Sequence, residues 1–161
     1  MRIGVVSDTH NHLPNVRRIV ELFAEARVDR VVHTGDITQP KTLRAFGELG
    51  APFVGVFGNN DQGERALLEE VAAELGMNLA DPPLELHWAG RRILVVHDPR
   101  DLEAHYHGHD VALHGHTHER RIQRSAGSLV FNPGECAGHL DGHNAVGVVD
   151  LATLDVEILS F

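Results

Sequence analysis

The chain has 161 residues, of which 42% are apolar and 23% are charged, and this composition is typical of one folded domain rather than a disordered chain. No apolar run is long enough to cross a bilayer, so no membrane association is expected, and the net charge of −9 argues against stable binding to nucleic acid. A single cysteine, Cys136, excludes an intramolecular disulfide and predicts a reducing, cytoplasmic environment.

Three units of strand, polar loop and helix follow one another in the first half of the chain. The strands are predicted at Arg2–Ser7, Val28–Val32 and Pro52–Phe57, and the helices at residues 14–27, 42–49 and 64–75. This alternation is typical of an α/β fold with a parallel sheet. Ligands bind such sheets beyond the carboxyl ends of the strands, which is where all three polar loops lie.

The second half of the chain is mostly strand. Ala89-Gly90 and Ala126-Gly127 each separate two strands and indicate two hairpins. Within the segment 98–110, alternating histidines either line the entrance to a site or lie in a solvated loop: His105, His107 and His109. No linker or repeat interrupts the chain, so we expect a single domain over residues 1–161. The predicted strands are Leu84–Trp88, Arg91–Val96, Val111–Leu113, Arg121–Ser125, Ser128–Phe131, Ala145–Leu151 and Asp155–Leu159.

Five predicted strands end in side chains that can ligate a metal, in a chain with thirteen histidines. Taken singly, each has an ordinary structural explanation as a helix cap, a turn residue or a buried imidazole. Taken together, five such strand ends are difficult to explain by packing alone. The donors are Asp8, His10, Asp36, Asn59, Asp61, His97, His116 and His118.

The chemistry of these donors limits the metals that they could bind. No thiolate is among them, which argues against a structural zinc site of the cysteine type. Mixed carboxylate and imidazole ligands favour manganese, iron, nickel or zinc over calcium or magnesium. The donors outnumber the four ligands of one tetrahedral site, so a pair of cations sharing a carboxylate is expected. His116 and His118 would diverge on a regular strand, so they require Gly115 and a loop geometry.

The order of these motifs resembles that of the calcineurin-like metallophosphoesterases, and in particular their small single-domain bacterial and archaeal phosphodiesterases. The segment Asn132-Pro133-Gly134-Glu135-Cys136 supports the resemblance, which extends over nearly the whole chain. It implies an α/β fold built as a four-layer α/β/β/α sandwich with two mixed β-sheets. The motifs that carry it are Asp8-Thr9-His10, Gly35-Asp36, Gly58-Asn59-Asn60-Asp61, His97 and Gly115-His116-Thr117-His118.

The same resemblance implies a dinuclear metal centre, with manganese preferred and nickel, iron or zinc as alternatives. The first cation would take Asp8, His10, Asp36 and His118, and the second would take Asp36, Asn59, His97 and His116. A bridging hydroxide would be the nucleophile that attacks a phosphate ester. Two divalent cations would leave the site positive after the two carboxylates and the hydroxide are counted, so it would attract a phosphate ester despite the acidic chain. The expected partner is a small phosphodiester substrate, and the resemblance leaves room for a homodimer.

This sequence departs from the family pattern at Asn60, where many members have a histidine. An asparagine can donate a hydrogen bond to a phosphate but cannot act as a general acid, which favours diesters over monoesters. His12 is a candidate for the acid role, with a solvent-exposed loop residue as the alternative interpretation. Asp61 would then support the site from behind or cap a helix. A second departure follows His97, where the family often has a glycine and a longer helix but this chain has Asp98-Pro99 and a short segment, and it leaves the substrate open.

Two function classes follow from the resemblance. The first is a metal-dependent phosphodiesterase, which the complete set of seven donors favours. The second is a protein-interaction scaffold on the same fold, like the retromer scaffold subunit, which also lacks the motif histidine. A large exposed apolar patch would favour the scaffold.

Overall fold

The structure is a computed structural model that describes residues 1–140 and 142–161. These residues contain four helices, α1 Leu13–Glu25, α2 Pro40–Gly47, α3 Arg65–Glu74 and α4 Leu102–His105, together with 3-10 turns at Gln62–Glu64 and Pro99–Asp101. The strands are β1 Arg2–Val6, β2 Arg30–His33, β3 Phe53–Val56, β4 Asn78–Ala80, β5 Leu84–Trp88, β6 Arg91–Val95, β7 Val111–Leu113, β8 Arg121–Ser125, β9 Ser128–Asn132, β10 Ala145–Asp150 and β11 Val156–Ser160.

The first sheet has the strand order β11-β10-β1-β2-β3-β4. Strands β1 to β4 are parallel, as the alternation of strand and helix predicts, while β10 and β11 are antiparallel additions at the other edge. Strand β4 was not predicted, because three residues carry no detectable period. Strand β2 begins at Arg30 rather than at Val28, since the Val28 amide donates to Phe23 at the end of α1. Helix α2 begins at Pro40, two residues before its predicted start, because proline suits a first helical turn.

The second sheet has the strand order β5-β6-β7-β9-β8. Strands β6, β7 and β9 are parallel, and β5 and β8 close the two edges as antiparallel partners of β6 and β9. Both predicted hairpins are therefore confirmed. Since each sheet contains parallel and antiparallel pairs, the prediction of two mixed sheets is confirmed as well.

The two sheets pack face to face between helical layers. Helices α1 to α3 cover the outer face of the first sheet, where Phe23, Phe46 and Phe53 are buried. Between the sheets, Val5 and Val32 pack in the same apolar cluster as Phe131. The outer face of the second sheet is covered by the short helix α4, through residues such as Leu102 and Tyr106. The four-layer prediction is thus confirmed, with a thin fourth layer.

The carboxyl ends of the central strands of both sheets meet at one edge of this sandwich. The amide of Asp8, after β1, donates to Gly35, after β2, at 3.0 Å. The amide of Gly115, after β7, donates to His97, after β6, also at 3.0 Å. Each sheet therefore presents a pair of linked loops at this edge. Among the described helices, none has the length and apolar character needed to cross a membrane.

Candidate metal centre

Side chains from both sheets form a cluster of carboxylates and imidazoles at the shared edge. In each of three overlapping groups, the candidate ligand atoms lie within 4.8 Å of one another. The groups are Asp8, His10 and His118; Asp8, Asp36 and His97; and His118, Glu135 and His139. Five of the seven predicted ligands therefore converge on one region, although they are spread from residue 8 to residue 118.

One end of the cluster is formed by Asp8, His10 and His118, which we call the Asp8 half. Asp8 Oδ1 lies 3.7 Å from His118 Nε2. Asp8 Oδ2 accepts hydrogen bonds from the Ser7 hydroxyl and, at 2.9 Å, from the His116 amide. The rings of His10 and His118 are stacked with their centroids 5.3 Å apart. Two imidazoles and one carboxylate oxygen therefore face the same space.

The other end is formed by Asn59, His97 and His116, which we call the Asn59 half. Asn59 Oδ1 lies 3.0 Å from His97 Nε2 and 3.0 Å from His116 Nδ1. The carbonyl oxygen of Thr34 lies 2.9 Å from His97 Nδ1. A neutral ring that donates from Nδ1 to this carbonyl keeps its lone pair on Nε2, which is the atom that faces the cluster.

Asp36 lies between the two halves. Its Oδ2 atom is 3.5 Å from His10 Nε2 and 3.6 Å from His97 Nε2. The carboxylate is 2% exposed and is oriented by the backbone amide and the side-chain amide of Asn60, at 2.9 and 2.7 Å. A single carboxylate is thus placed to serve both halves.

The backbone of the cluster is strained. Five of the seven predicted ligands have a positive φ, between 42° and 68°: Asp8, His10, Asp36, His116 and His118. Such values are uncommon for residues other than glycine, and they are concentrated at functional sites. The expectation that a loop geometry brings His116 and His118 to one site is therefore met, with one histidine in each half.

Two glycines allow the loops to approach one another closely. A Cβ atom at Gly115 would lie 1.8 Å from Ser7 Oγ and 2.6 Å from Asp8 Oδ2. A Cβ atom at Gly58 would lie 2.1 Å from Asp36 Oδ1. Any side chain at either position would displace a predicted ligand or its support.

Unsatisfied polar atoms show that the cluster fits a cation. Among the described residues, Asp8 Oδ1 and His10 Nε2 are buried without a hydrogen-bond partner. Burial raises the pKa of Asp8 above its usual range and lowers the pKa of His10. A divalent cation would supply the partner that both atoms lack and the positive charge that a buried carboxylate requires.

Asn60 and Asp61 have different surroundings. Asn60 is exposed and hydrogen-bonds to Asp36, so it stands at the rim of the cluster. Asp61 is fully buried, and it accepts hydrogen bonds from the backbone amides of Asp36, Gly58 and Thr38 at 2.7 to 3.0 Å. Its side chain caps no helix. Asp61 therefore holds the loops after β2 and β3 together behind Asp36.

His12 stands outside the three ligand groups. It is the exposed residue before α1, and its side chain lies beside Gly138. Its predicted role as a general acid stays a prediction.

The histidines of the segment 98–110 do not line the site. His105 and His107 are exposed, and His109 is buried and stacked on Tyr106 at a centroid distance of 5.9 Å. From this segment only Asp98, Arg100 and Asp101 face the cavity beside the cluster. The solvated-loop alternative therefore describes His105 and His107, whereas His109 belongs to the packing of the outer layer.

Sequence reasoning missed two residues of the cluster. Glu135 is 2% exposed and its Oε2 atom pairs with His118 Nδ1, and the ring of His139 lies 5.6 Å from the rings of both His10 and His118. Glu135 follows β9 in the same way that the predicted ligands follow their strands, so the same signal could have found it. His139 lies in the loop between β9 and β10 and offered no such signal.

A cavity of about 380 Å³ opens beside the Asn59 half. Asn59, His97 and His116 form the wall next to the cluster. The remaining lining residues include Phe57, Pro82 and Arg100. This mixture of apolar and charged groups can receive a small organic group attached to a phosphate.

The fold and the cluster together define the class of protein. Two mixed sheets carry a carboxylate and imidazole cluster at their common edge, as expected for a hydrolase that depends on metal ions. Residues 1–154 match the calcineurin-like phosphoesterase superfamily domain. The chain therefore belongs to the calcineurin-like phosphoesterase superfamily, which is a family of hydrolases.

Individual relatives agree with this assignment. The chain is 36% identical to Phosphodiesterase MJ0936 from Methanocaldococcus jannaschii, over 93% of each chain. It is 27% identical to Phosphodiesterase YfcE from Escherichia coli, over 99% of this chain and 93% of that protein. Among solved structures, an archaeal phosphodiesterase superimposes with a TM-score of 0.90 at 32% identity, over 100% of both chains.

Proposed function

We propose that this protein is a metal-dependent phosphodiesterase in which Asp36 is shared by two divalent cations. The observation that carries the proposal is the position of Asp36 Oδ2, which lies 3.5 Å from an imidazole of the Asp8 half and 3.6 Å from an imidazole of the Asn59 half. A carboxylate with imidazoles on both sides is the economical way to hold a pair of cations.

The residues divide between the two cations as follows. The Asp8 half together with Asp36 would hold one cation, and the Asn59 half together with Asp36 would hold the other. Mixed oxygen and imidazole donors suit manganese, nickel, iron or zinc, and the family resemblance makes manganese the first choice. When bound, the two cations would polarise the phosphoryl oxygens and, by lowering the pKa of bound water, would supply a hydroxide as the nucleophile.

The remaining groups favour a diester substrate. The exposed amide of Asn60 stands beside Asp36 and can donate a hydrogen bond to a phosphoryl oxygen, but it has no proton to give to a leaving group. The adjoining cavity of about 380 Å³ offers room for one organic group of a small diester. The site therefore suits a substrate whose leaving group departs with little protonation better than one whose leaving group must be protonated.

The scaffold alternative receives little support from the surface. The exposed large apolar side chains of the described residues are few, and they belong to the amino terminus, α3 and its end, β8 and the loop before β10. They are Met1, Leu67, Leu75, Ile122 and Leu140. An interaction platform is expected to gather such side chains into one patch. A homodimer and a cytoplasmic location stay predictions.

The experiment uses protein stripped of metal and reloaded separately with manganese, nickel, zinc, magnesium or calcium. We would measure hydrolysis of a chromogenic phosphodiester and of the matching monoester, together with bound metal. We expect diester turnover that requires a transition metal, exceeds monoester turnover and is lost in His116→Ala. His87→Ala, which removes an exposed histidine from β5, is the matched control and should retain activity. Bound cations without turnover for any metal would contradict the proposal and favour the scaffold.

A further inference from the structure

The two halves of the cluster have different surroundings. Behind the Asp8 half lies Glu135, whose carboxylate is 2% exposed. Its Oε2 atom pairs with His118 Nδ1, and its Oε1 atom accepts the backbone amide of His139 at 3.1 Å. Because both oxygens meet N–H donors, the group is held as a carboxylate that orients the His118 ring and directs Nε2 toward Asp8.

Glu135 is fixed in place by the loop that carries His118. The side-chain amide of Asn132 donates to the Gly115 carbonyl and to the Thr117 hydroxyl, at 3.3 and 3.2 Å. The Asn132 side-chain oxygen accepts the Gly134 amide at 3.0 Å, and the Ala145 amide donates to the Glu135 carbonyl at 2.9 Å. The carboxylate is thus placed before any ligand arrives.

The Asn59 half has neutral support instead. His97 Nδ1 donates to the Thr34 carbonyl, and His116 Nδ1 meets the Asn59 amide oxygen. Asp98 lies 3.8 Å from His116 Nε2, but the Arg100 guanidinium is hydrogen-bonded to that carboxylate at 2.8 Å and balances its charge. Within the described part of the chain, Glu135 is therefore the only buried carboxylate paired with a ligand histidine through the ring nitrogen that faces away from the cluster.

We propose that Glu135 is a positioning residue that makes the Asp8 half the tighter of the two cation positions. The inference rests on the proposed function, since it assumes that the cluster holds two cations. A carboxylate behind a ligand histidine fixes the tautomer of the ring and raises its basicity. It also adds a negative charge near one cation only, while the Asn59 half opens on the cavity and exchanges its cation more readily.

The test measures cation affinity without substrate. Metal-free protein is titrated with Mn²⁺ in competition with a chromophoric chelator. We expect two classes of site that differ in affinity by at least about tenfold, because partners behind ligand residues are worth about 10- to 100-fold in metal affinity. Glu135→Gln should weaken the tight class by that factor and leave the weak class unchanged. Asn59→Ala should instead reduce the affinity of the weak class and leave that of the tight class unchanged.

Glu119→Gln is the matched control. Glu119 is exposed in the same loop as His118, so this variant makes the same change of charge close by without touching the ring. We expect its affinities to stay within about twofold of the parent, because an exposed charge is screened by water and salt. An equal loss in Glu119→Gln and Glu135→Gln would overturn the positioning role, since net charge alone would then explain the effect.

The outcomes separate the inference from the proposed function. A parent protein that binds neither Mn²⁺ nor Ni²⁺ nor Zn²⁺ in the same titration would overturn both. A parent that binds two ions with equal affinity, or a Glu135→Gln variant that weakens both classes equally, would overturn the inference alone. If Glu135→Gln does not fold in the absence of metal, Glu135→Ser is titrated in the same way. Failure of both variants to fold would assign Glu135 to the fold and overturn the positioning role.

Discussion

The two sheets contribute different chemistry to the same site. The loops of the first sheet supply both predicted carboxylate ligands, Asp8 and Asp36, and three helices cover that sheet on its outer face. The loops of the second sheet supply histidines, and the cover of that sheet is one short helix with a 3-10 turn. The difference teaches that the charged ligands are held where the packing is thickest. The three ligand histidines of the second sheet, His97, His116 and His118, then depend on how that sheet packs against the first.

The largest expected effect tests that dependence on the packing between the sheets. Phe131 in β9 is fully buried, and a Cβ atom at Gly147 in β10 would lie 2.3 Å from its ring, so the ring rests directly on the first sheet. Phe131→Ala should lower the free energy of unfolding by about 3–5 kcal/mol through loss of apolar contact and a residual cavity. Urea denaturation measures the change.

A control for this variant comes from the exposed edge of the same sheet. Ile122 in β8 is 45% exposed, so Ile122→Ala should change the stability by no more than about 0.5 kcal/mol. A similar loss in both variants would mean that the contact between the sheets is not what stabilises the second sheet.

The next expected effect is a loss of stability in acid, and it tests whether the first sheet depends on a buried histidine that stays neutral. His33 at the end of β2 is fully buried between Thr9 and Gly35, and burial lowers its pKa to about 3 from 6.5. Below pH 6.5 the unfolded chain gains a proton that the folded His33 does not accept until about pH 3. The stabilisation is therefore complete above pH 6.5 and is lost as the pH falls, by about 2 kcal/mol at pH 5.

The measurement compares the pH dependence of urea unfolding in metal-free parent protein and in His33→Gln. Burial raises the pKa values of Asp8 and Asp61, and this acts in the opposite direction in both proteins. We therefore compare the two proteins and expect the parent to lose more stability in acid than His33→Gln does. His87→Gln, at an exposed position of β5, should follow the parent. Parallel curves for His33→Gln and the parent would refute the assignment of this acid sensitivity to His33.

The smallest expected effect is that of a variant, Asn60→His, which places an imidazole at the rim of the cluster on the side of the first sheet. Asn60→His should raise the hydrolysis of a phosphate monoester by about tenfold, because a positioned general acid supplies about 10²–10⁴-fold and this one would not be optimally placed. Turnover of a diester with a good leaving group should change little. Steady-state kinetics with a chromogenic pair of substrates measure both, and a gain restricted to the diester would contradict the assigned role of Asn60.

Much of this architecture could be predicted from the sequence, because the strands are short apolar runs that end in polar donors. The position of the seven candidate ligands at one edge could be predicted in this way, since parallel strands bring their carboxyl ends together. The contact between Glu135 and His118 was not found, because it depends on how two loops meet across the second sheet. The sequence predicts that Asp61 either caps a helix or supports the site. Only the positions of the three backbone amides that donate to it decide between these roles.

The span of the hydrogen bond from the His116 amide to Asp8 has a consequence for biosynthesis. The two residues are 108 positions apart, so the bond forms only after the whole segment from Asp8 to His116 has left the ribosome. Before that point the nascent chain carries Asp8 and Asp36 but lacks His116 and His118. Both halves of the cluster are therefore incomplete in the growing chain until the loop after β7 has been made.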